Sequence, residues 1–267
     1  MVFIVKVPGI NGEGKTNGCE KAGNAILKSM KEIFSNEQGI LIDSNLFDLE
    51  EIHLDNSNLK ITNKLIYENA YETFETEPKT IYLGGDHSIS YSLAKSFFDY
   101  CKNENKESCL IVFDAHPDLM PSAKEPTHRE WLRKLIEEGF PKENILLVGL
   151  RNSEKEEIKF LKEKRIHQIG FNSIVEDIDN IADTIMEFAN SRQVYVSIDI
   201  DVIDPAFAPA TGSPEPGGLS SRDFIYLIQR INKMKNLRAV DIVEINPEKK
   251  GGEETVKLGA KILSELL

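Results

Sequence analysis

Asp114, His116 and Asp118 stand at alternate positions where the apolar, β-branched run Leu110-Ile111-Val112-Phe113 stops. If the chain stays extended past that run, two carboxylates and one imidazole face the same side. That donor set suits a divalent first-row ion such as manganese or zinc. Taken alone, these residues also allow a local reading, because strand-end aspartates cap helices and isolated histidines are usually hydrogen-bonded in a core. Two further stretches repeat the pattern. Ser197-Ile198-Asp199-Ile200-Asp201 ends a second β-rich run in carboxylates at i and i+2, and in Gly84-Gly85-Asp86-His87-Ser88 a third run turns on two glycines and presents His87. The six donors His87, Asp114, His116, Asp118, Asp199 and Asp201 exceed what one tetrahedral ion takes, and they suit two metals bridged by shared carboxylates.

Strand ends that meet in this way call for a parallel sheet. Apolar runs alternate with charged amphipathic stretches along the whole chain, the signature of repeated strand-helix-strand units. The expected strands are Val2–Val7, Ile40–Asp43, Thr80–Leu83, Cys109–Phe113, Ile145–Val148, Ile166–Ile169, Val194–Ile198 and Arg238–Val243. The expected helices are Cys19–Phe34, Leu59–Glu75, Ser88–Asn103, His128–Glu138, Lys155–Lys164, Asp179–Asn190, Ser220–Ile231 and Glu253–Leu266. No linker or internal repeat divides the chain, so one catalytic domain spanning 1–267 is expected. The Pro/Gly-rich segment from Asp204 to Gly218 is long for a loop without regular structure, which points to a functional wall, and Asp204 is the residue expected to hold it. Pro8–Gly18 is glycine-rich, but its spacing fits neither a P-loop nor a dinucleotide fingerprint.

Composition narrows the partners. With 267 residues, 40% hydrophobic and 28% charged, the chain reads as soluble and globular. A net charge of −12 disfavours nucleic acid and anionic membrane surfaces and welcomes a small cation. No apolar stretch reaches the length of a membrane span, and the start of the chain lacks the basic region of a signal peptide. Cys19, Cys101 and Cys109 are odd in number with no C-x-x-C pair, which fits reduced thiols and a cytoplasmic location.

With Gly-Gly-Asp-His-Ser at 84–88, Asp-Ala-His-Pro-Asp at 114–118 and Ser-Ile-Asp-Ile-Asp-Val-Ile-Asp-Pro-Ala-Phe-Ala-Pro-Ala-Thr-Gly-Ser-Pro at 197–214, the chain resembles the arginase/agmatinase (ureohydrolase) family over nearly its whole length. The resemblance implies a three-layer α/β/α sandwich around a mostly parallel sheet of about eight strands, assembled as a trimer or hexamer. It implies two Mn2+ ions per subunit, one held by His87, Asp114, Asp118 and Asp199 and the other by Asp114, His116, Asp199 and Asp201. It further implies that Glu244, in Val243-Glu244-Ile245-Asn246-Pro247, clamps a guanidinium, and that His128 shuttles protons. Asp118, His128 and Glu244 thus form the catalytic candidates, with Glu244, Glu154, Met120 and Ser213 as substrate-binding candidates.

The expected reaction is hydrolysis of a linear guanidino or amidino carbon–nitrogen bond, releasing urea and an amine. Departures from the family pattern bear on substrate. Met120 stands where arginases place an asparagine, Arg129 follows His128 where the family usually has glycine, and the interval from Asp118 to His128 is shorter than in animal arginases. Agmatine is therefore set slightly ahead of arginine. Glu154 either pairs with a distal ammonium or is a solvated helix-start residue, and Trp131 either lines the cavity mouth or packs its helix. Three other readings stay open: a formimidoylglutamase-type hydrolase recognising an anion through Arg129 and Arg151, a non-catalytic metal-binding member of the fold, and a zinc amidohydrolase of histone-deacetylase type.

Overall fold

Thr80–Gly84, Ser108–Phe113 and Ile145–Val148 are buried at every position. Strands with no polar side must be covered on both faces, and in parallel sheets the crossover helices supply that cover. The computed structural model describes residues 2–12, 14–43 and 46–267. Its elements run β1 (Val2–Val7), α1 (Ala22–Met30), β2 (Phe47–Glu51), α2 (Leu59–Thr76), β3 (Thr80–Gly84), α3 (Ile89–Asn103), β4 (Ser108–Phe113), α4 (Trp131–Glu137), β5 (Ile145–Val148), α5 (Lys155–Lys164), β6 (His167–Ile169), α6 (Phe171–Glu176), α7 (Ile178–Phe188), β7 (Gln193–Asp199), α8 (Ser221–Ile231), β8 (Leu237–Val243) and α9 (Gly252–Leu266). The described strands form one eight-stranded sheet in the order β2-β1-β3-β8-β7-β4-β5-β6. Every pairing in it is parallel.

Two apolar cores flank the sheet, which makes three layers. Ile111 and Phe113 of β4 pack with Ile26, Ile185, Leu227 and Leu263 from α1, α7, α8 and α9. Leu110 and Val112 face the opposite core with Phe74, Phe97, Trp131 and Phe160 from α2 to α5. The period of two along β4 thus divides its side chains between the layers.

The second strand differs from expectation. Ile40–Asp43 is not a strand; Leu41 makes an isolated antiparallel bridge to Ser35 and is 72% exposed. The edge position belongs to β2, which pairs with β1 from Val2–Phe47 to Lys6–Glu51. Its sequence Phe-Asp-Leu-Glu-Glu is mostly exposed, so it carries no apolar run to betray it. The helix expected from His128 begins at Trp131, because a turn from Thr127 to Glu130 precedes it.

The strand order positions the site. β3 and β4 are separated in the sheet by β8 and β7, so the carboxyl ends of four neighbouring strands converge at a switch in the direction of winding. Gly85 lets β3 turn there against the loop after β1, where a Cβ atom would lie 1.9 Å from the Gly9 carbonyl oxygen.

Candidate dinuclear metal centre

Each strand end turns its own backbone N–H groups onto a neighbouring carboxylate. The His116 amide donates to Asp114 Oδ1 at 2.6 Å, the Ala115 amide to Asp201 Oδ1 at 3.0 Å and the Asp201 amide to Asp199 Oδ1 at 2.8 Å. From the end of β8, Glu244 Oε1 accepts the His87 amide at 3.0 Å. Asp118 and Glu244 both adopt left-handed backbone conformations, with φ of 52° and 64°. Non-glycine residues hold such angles only where their surroundings over-determine them.

The remaining carboxylate oxygens converge. His87 Nδ1 lies 3.0 Å from Asp114 Oδ2, 3.1 Å from Asp118 Oδ2 and 3.3 Å from Asp199 Oδ2. His116 Nδ1 lies 2.9 Å from Asp201 Oδ2 and 3.6 Å from Asp114 Oδ1. Two groups result, His87 with Asp114 and Asp199, and Asp114 with His116 and Asp201, with the ligand atoms of each group within 4.8 Å of one another. Asp114 belongs to both. Among the described residues, His87 Nδ1 and Asp114 Oδ2 are buried without a hydrogen-bond partner. Buried orphans of this kind at the meeting point of several oxygens fit a bound divalent cation.

The electrostatics carry the same demand for positive charge. Burial, then the charge of Asp114, push the Asp118 carboxyl up to about 7. Burial with Asp201 and Asp114 nearby raises Asp199 well above the carboxylate range. Burial opposes protonation of both histidines, yet the carboxylates outweigh it: Asp114, Asp118 and Asp199 hold His87 well above its ordinary value, and Asp114 with Asp201 lifts His116 to about 12. Protons here stand where cations would relieve the repulsion.

Behind His87 is a support that spacing alone does not reveal. Ser197 Oγ donates to Asp241 Oδ1 at 2.7 Å, so its lone pairs face His87 Nε2 at 2.9 Å. Ser90 and Tyr195 hydroxyls donate to Asp241 Oδ2, both at 2.8 Å. With the Nε2 proton held on Ser197, Nδ1 is the nitrogen left to face the carboxylates, and a cation replacing its proton there would meet the Nδ1 lone pair. Asp241 lies in the buried run Ala239-Val240-Asp241-Ile242-Val243, and an aspartate inside such a run is the signal that could have marked it. Trp131 packs its helix; fully buried, its Nε1 also donates to Asp118 Oδ2 at 2.8 Å.

A cavity of about 350 Å³ opens above the carboxylates. His116, Asp118, Asp199 and Asp201 reach it, whereas His87 and Asp114 are buried and do not line it. Glu244, His128 and Ser213 stand in its wall, with Lys15, Arg129, Glu154 and Glu215 also lining it. Gly212 lets the Pro/Gly-rich segment close on Glu244, since a Cβ atom there would meet Glu244 Oε2 at 2.6 Å. Asp204 anchors that segment, accepting from the Ala206, Gly217 and Gly218 amides.

Three further residues singled out in the sequence are placed as follows. Met120 does not line the cavity, and its amide bonds the Arg129 carbonyl. Glu154 precedes α5 and is paired with Arg129. Arg151 is spent on the carbonyls of Val202, Glu215 and Pro216, tying the segment from Asp204 to Gly218 to the strand ends. His128 is half-buried, its Nδ1 without a hydrogen-bond partner among the described residues, and burial followed by the charges of His87, Arg129 and Lys15 lowers it to about 4. It is a neutral imidazole at pH 7.

No described helix is long and apolar enough to cross a membrane. The family model for the arginase family matches residues 1–267. The agmatinase of Bacillus subtilis (strain 168) is 32% identical over 230 residues, covering 85% of this chain and 76% of that protein. The crystal structure of formimidoylglutamase from Bacillus subtilis superposes with a TM-score of 0.87 at 23% identity, covering 99% of this chain and 85% of its own. Proclavaminate amidino hydrolase from Streptomyces clavuligerus superposes with a TM-score of 0.86 at 25% identity, covering 99% and 90%. On sequence and fold together, the chain belongs to the arginase family.

Proposed function

We propose that this chain is a manganese-dependent hydrolase of a linear guanidino compound, releasing urea and an amine, with agmatine ahead of arginine as substrate. The observation that carries the reading is the pair of histidine–aspartate groups sharing Asp114 beneath a cavity whose wall holds Glu244. His87, Asp114, Asp118 and Asp199 would hold one ion, and Asp114, His116, Asp199 and Asp201 the other. Bound there, divalent ions supply Lewis acidity and lower the pKa of a water to yield a nucleophile at neutral pH.

The protein's own groups do the rest. Burial, then the neighbouring Asp86, hold the Glu244 carboxyl well above its ordinary value, so an arriving guanidinium restores its charge as it binds. Planar guanidinium meets carboxylate in a bidentate fork, which orients the central carbon over the floor. Asp118, at that floor, steers the attacking water by accepting its hydrogen bond. Collapse of the tetrahedral adduct requires the leaving nitrogen to gain a proton. His128, neutral and in the cavity wall, passes that proton inward from solvent. The balance closes as guanidinium and water giving urea and an alkylammonium.

The distal end of the substrate meets a mixed rim. Glu154 and Glu215 favour an ammonium, and an ammonium on Glu154 would have to displace Arg129. Lys15 and Arg129 give a second reading its support, an amidine hydrolase of formimidoylglutamase type acting on an anionic substrate. Manganese-loaded protein assayed for urea, formamide and amine against agmatine, arginine, guanidinobutyrate, guanidine and formimidoylglutamate separates the two. Urea from agmatine, abolished by Asp201→Asn, is expected; release of neither urea nor formamide from any of the five would overturn the enzymatic reading.

A further inference from the structure

We propose that Trp131 is a positioning residue for the metal centre, its indole N–H fixing the Asp118 carboxylate beside His87, and that its emission therefore reports metal occupancy. The inference rests on the dinuclear reading above and concerns how that centre is held.

Trp131 Nε1 donates to Asp118 Oδ2 at 2.8 Å, the same oxygen that lies 3.1 Å from His87 Nδ1. An indole nitrogen is a donor only, so the bond has one polarity and cannot invert. The residue is fully buried, and its ring centroid sits 4.8 Å from that of His87. Asp118 is thus gripped at both ends by the start of α4, since the Arg133 amide also reaches the Asp118 carbonyl at 3.4 Å. With φ of 52°, Asp118 occupies a conformation that needs such holding. One lone pair of Oδ2 is committed to the indole, which restricts the direction in which that oxygen faces the His87 group. The residues between Asp118 and Trp131 include His128, so the same bond ties the cavity wall to its floor.

Hydrogen bonds to a ligating carboxylate typically change metal affinity by about 10- to 100-fold when removed. Trp131→Phe keeps a ring and removes the N–H. After chelation, titration with Mn2+ followed by equilibrium dialysis and metal analysis should show one of two sites weakened by about that factor. Leu132→Ala is the packing control: Leu132 is buried beside Trp131, and its truncation should lower the thermal midpoint while leaving both affinities intact. Wild-type affinities in Trp131→Phe, or equal weakening in Leu132→Ala, would overturn the proposal.

Trp131 is the only tryptophan in the chain, so emission comes from this position alone. Wild-type fluorescence should change saturably as Mn2+ binds. Metal uptake with unchanged emission counts against the assignment even if Trp131→Phe does not fold. Wild-type protein that binds no Mn2+ would instead overturn the dinuclear reading, with Trp131 falling as its corollary.

Discussion

The two ligand groups share Asp114 yet live in unlike surroundings. The His87 side chain is 1% exposed, whereas that of His116 is 24% exposed. His87 has Ser197 and Asp241 behind it and Trp131 beside it. His116 leans on Asp201 through Nδ1, and its Nε2 looks out toward Glu215 at 3.9 Å. One half is built to hold and the other to face what enters. Enclosure and outer hydrogen bonds orient a ligand before metal arrives, so the His87 half should bind its ion more tightly and release it more slowly.

The largest effect falls on what the halves have in common. Asp114→Asn should lose both ions in metal analysis and all measurable turnover, because each group needs that carboxylate. Retention of one ion at wild-type affinity would break the shared-carboxylate picture. Ser197→Ala sharpens the asymmetry instead. It removes the link from His87 Nε2 to Asp241 and should weaken the enclosed half about 10- to 100-fold while sparing the open one. It also strips the buried His87 and Asp241, and more weakly Ser90, of a hydrogen bond, at a cost of about 1–3 kcal/mol in denaturant unfolding of the metal-free chain.

The smallest effect belongs to a site remote from both groups. Glu37, exposed, is held down to about 2 chiefly by its bonds to Arg222, from an ordinary value of 4.5. A depressed folded pKa means its stabilisation is complete above pH 4.5 and is lost as pH falls from there toward 2. Glu37→Gln should remove about 0.2–1 kcal/mol at neutral pH, the range for exposed pairs, and flatten that acid limb. Metal affinities that moved with it would contradict the independence of centre and surface.

What the sequence discloses follows the same division. Asp114, His116, Asp118, Asp199 and Asp201 are legible because alternation along a strand is a local property, and so are the buried strands that carry them. The supports of His87 are not local. Ser197 is 110 positions from His87, and Asp241 is 44 from Ser197, so only the pairing of β7 with β8 reveals them. Trp131 lies 13 residues from Asp118, and its part depends on the turn from Thr127 to Glu130 that delays α4. The pairing of Glu154 with Arg129 is likewise a meeting of two loops that no spacing encodes. β2 escaped for the opposite reason: being an edge strand, it is placed by its neighbour β1 and not by apolar residues of its own.

The sheet order also sets a timetable for folding. β3 and β4, which deliver His87 and Asp114, are adjacent in the chain but not in the sheet, and the strands that fill the gap, β7 and β8, come last. A nascent chain that has reached β6 owns both histidines and half of the aspartates without the scaffold that brings them together. Contacts so distant in sequence form slowly, because long loops must close before any reward is collected. The cluster of donors is therefore completed only when residues 193–243 have been made, so a metal bound there would read out the integrity of the last third of the chain as well as the first.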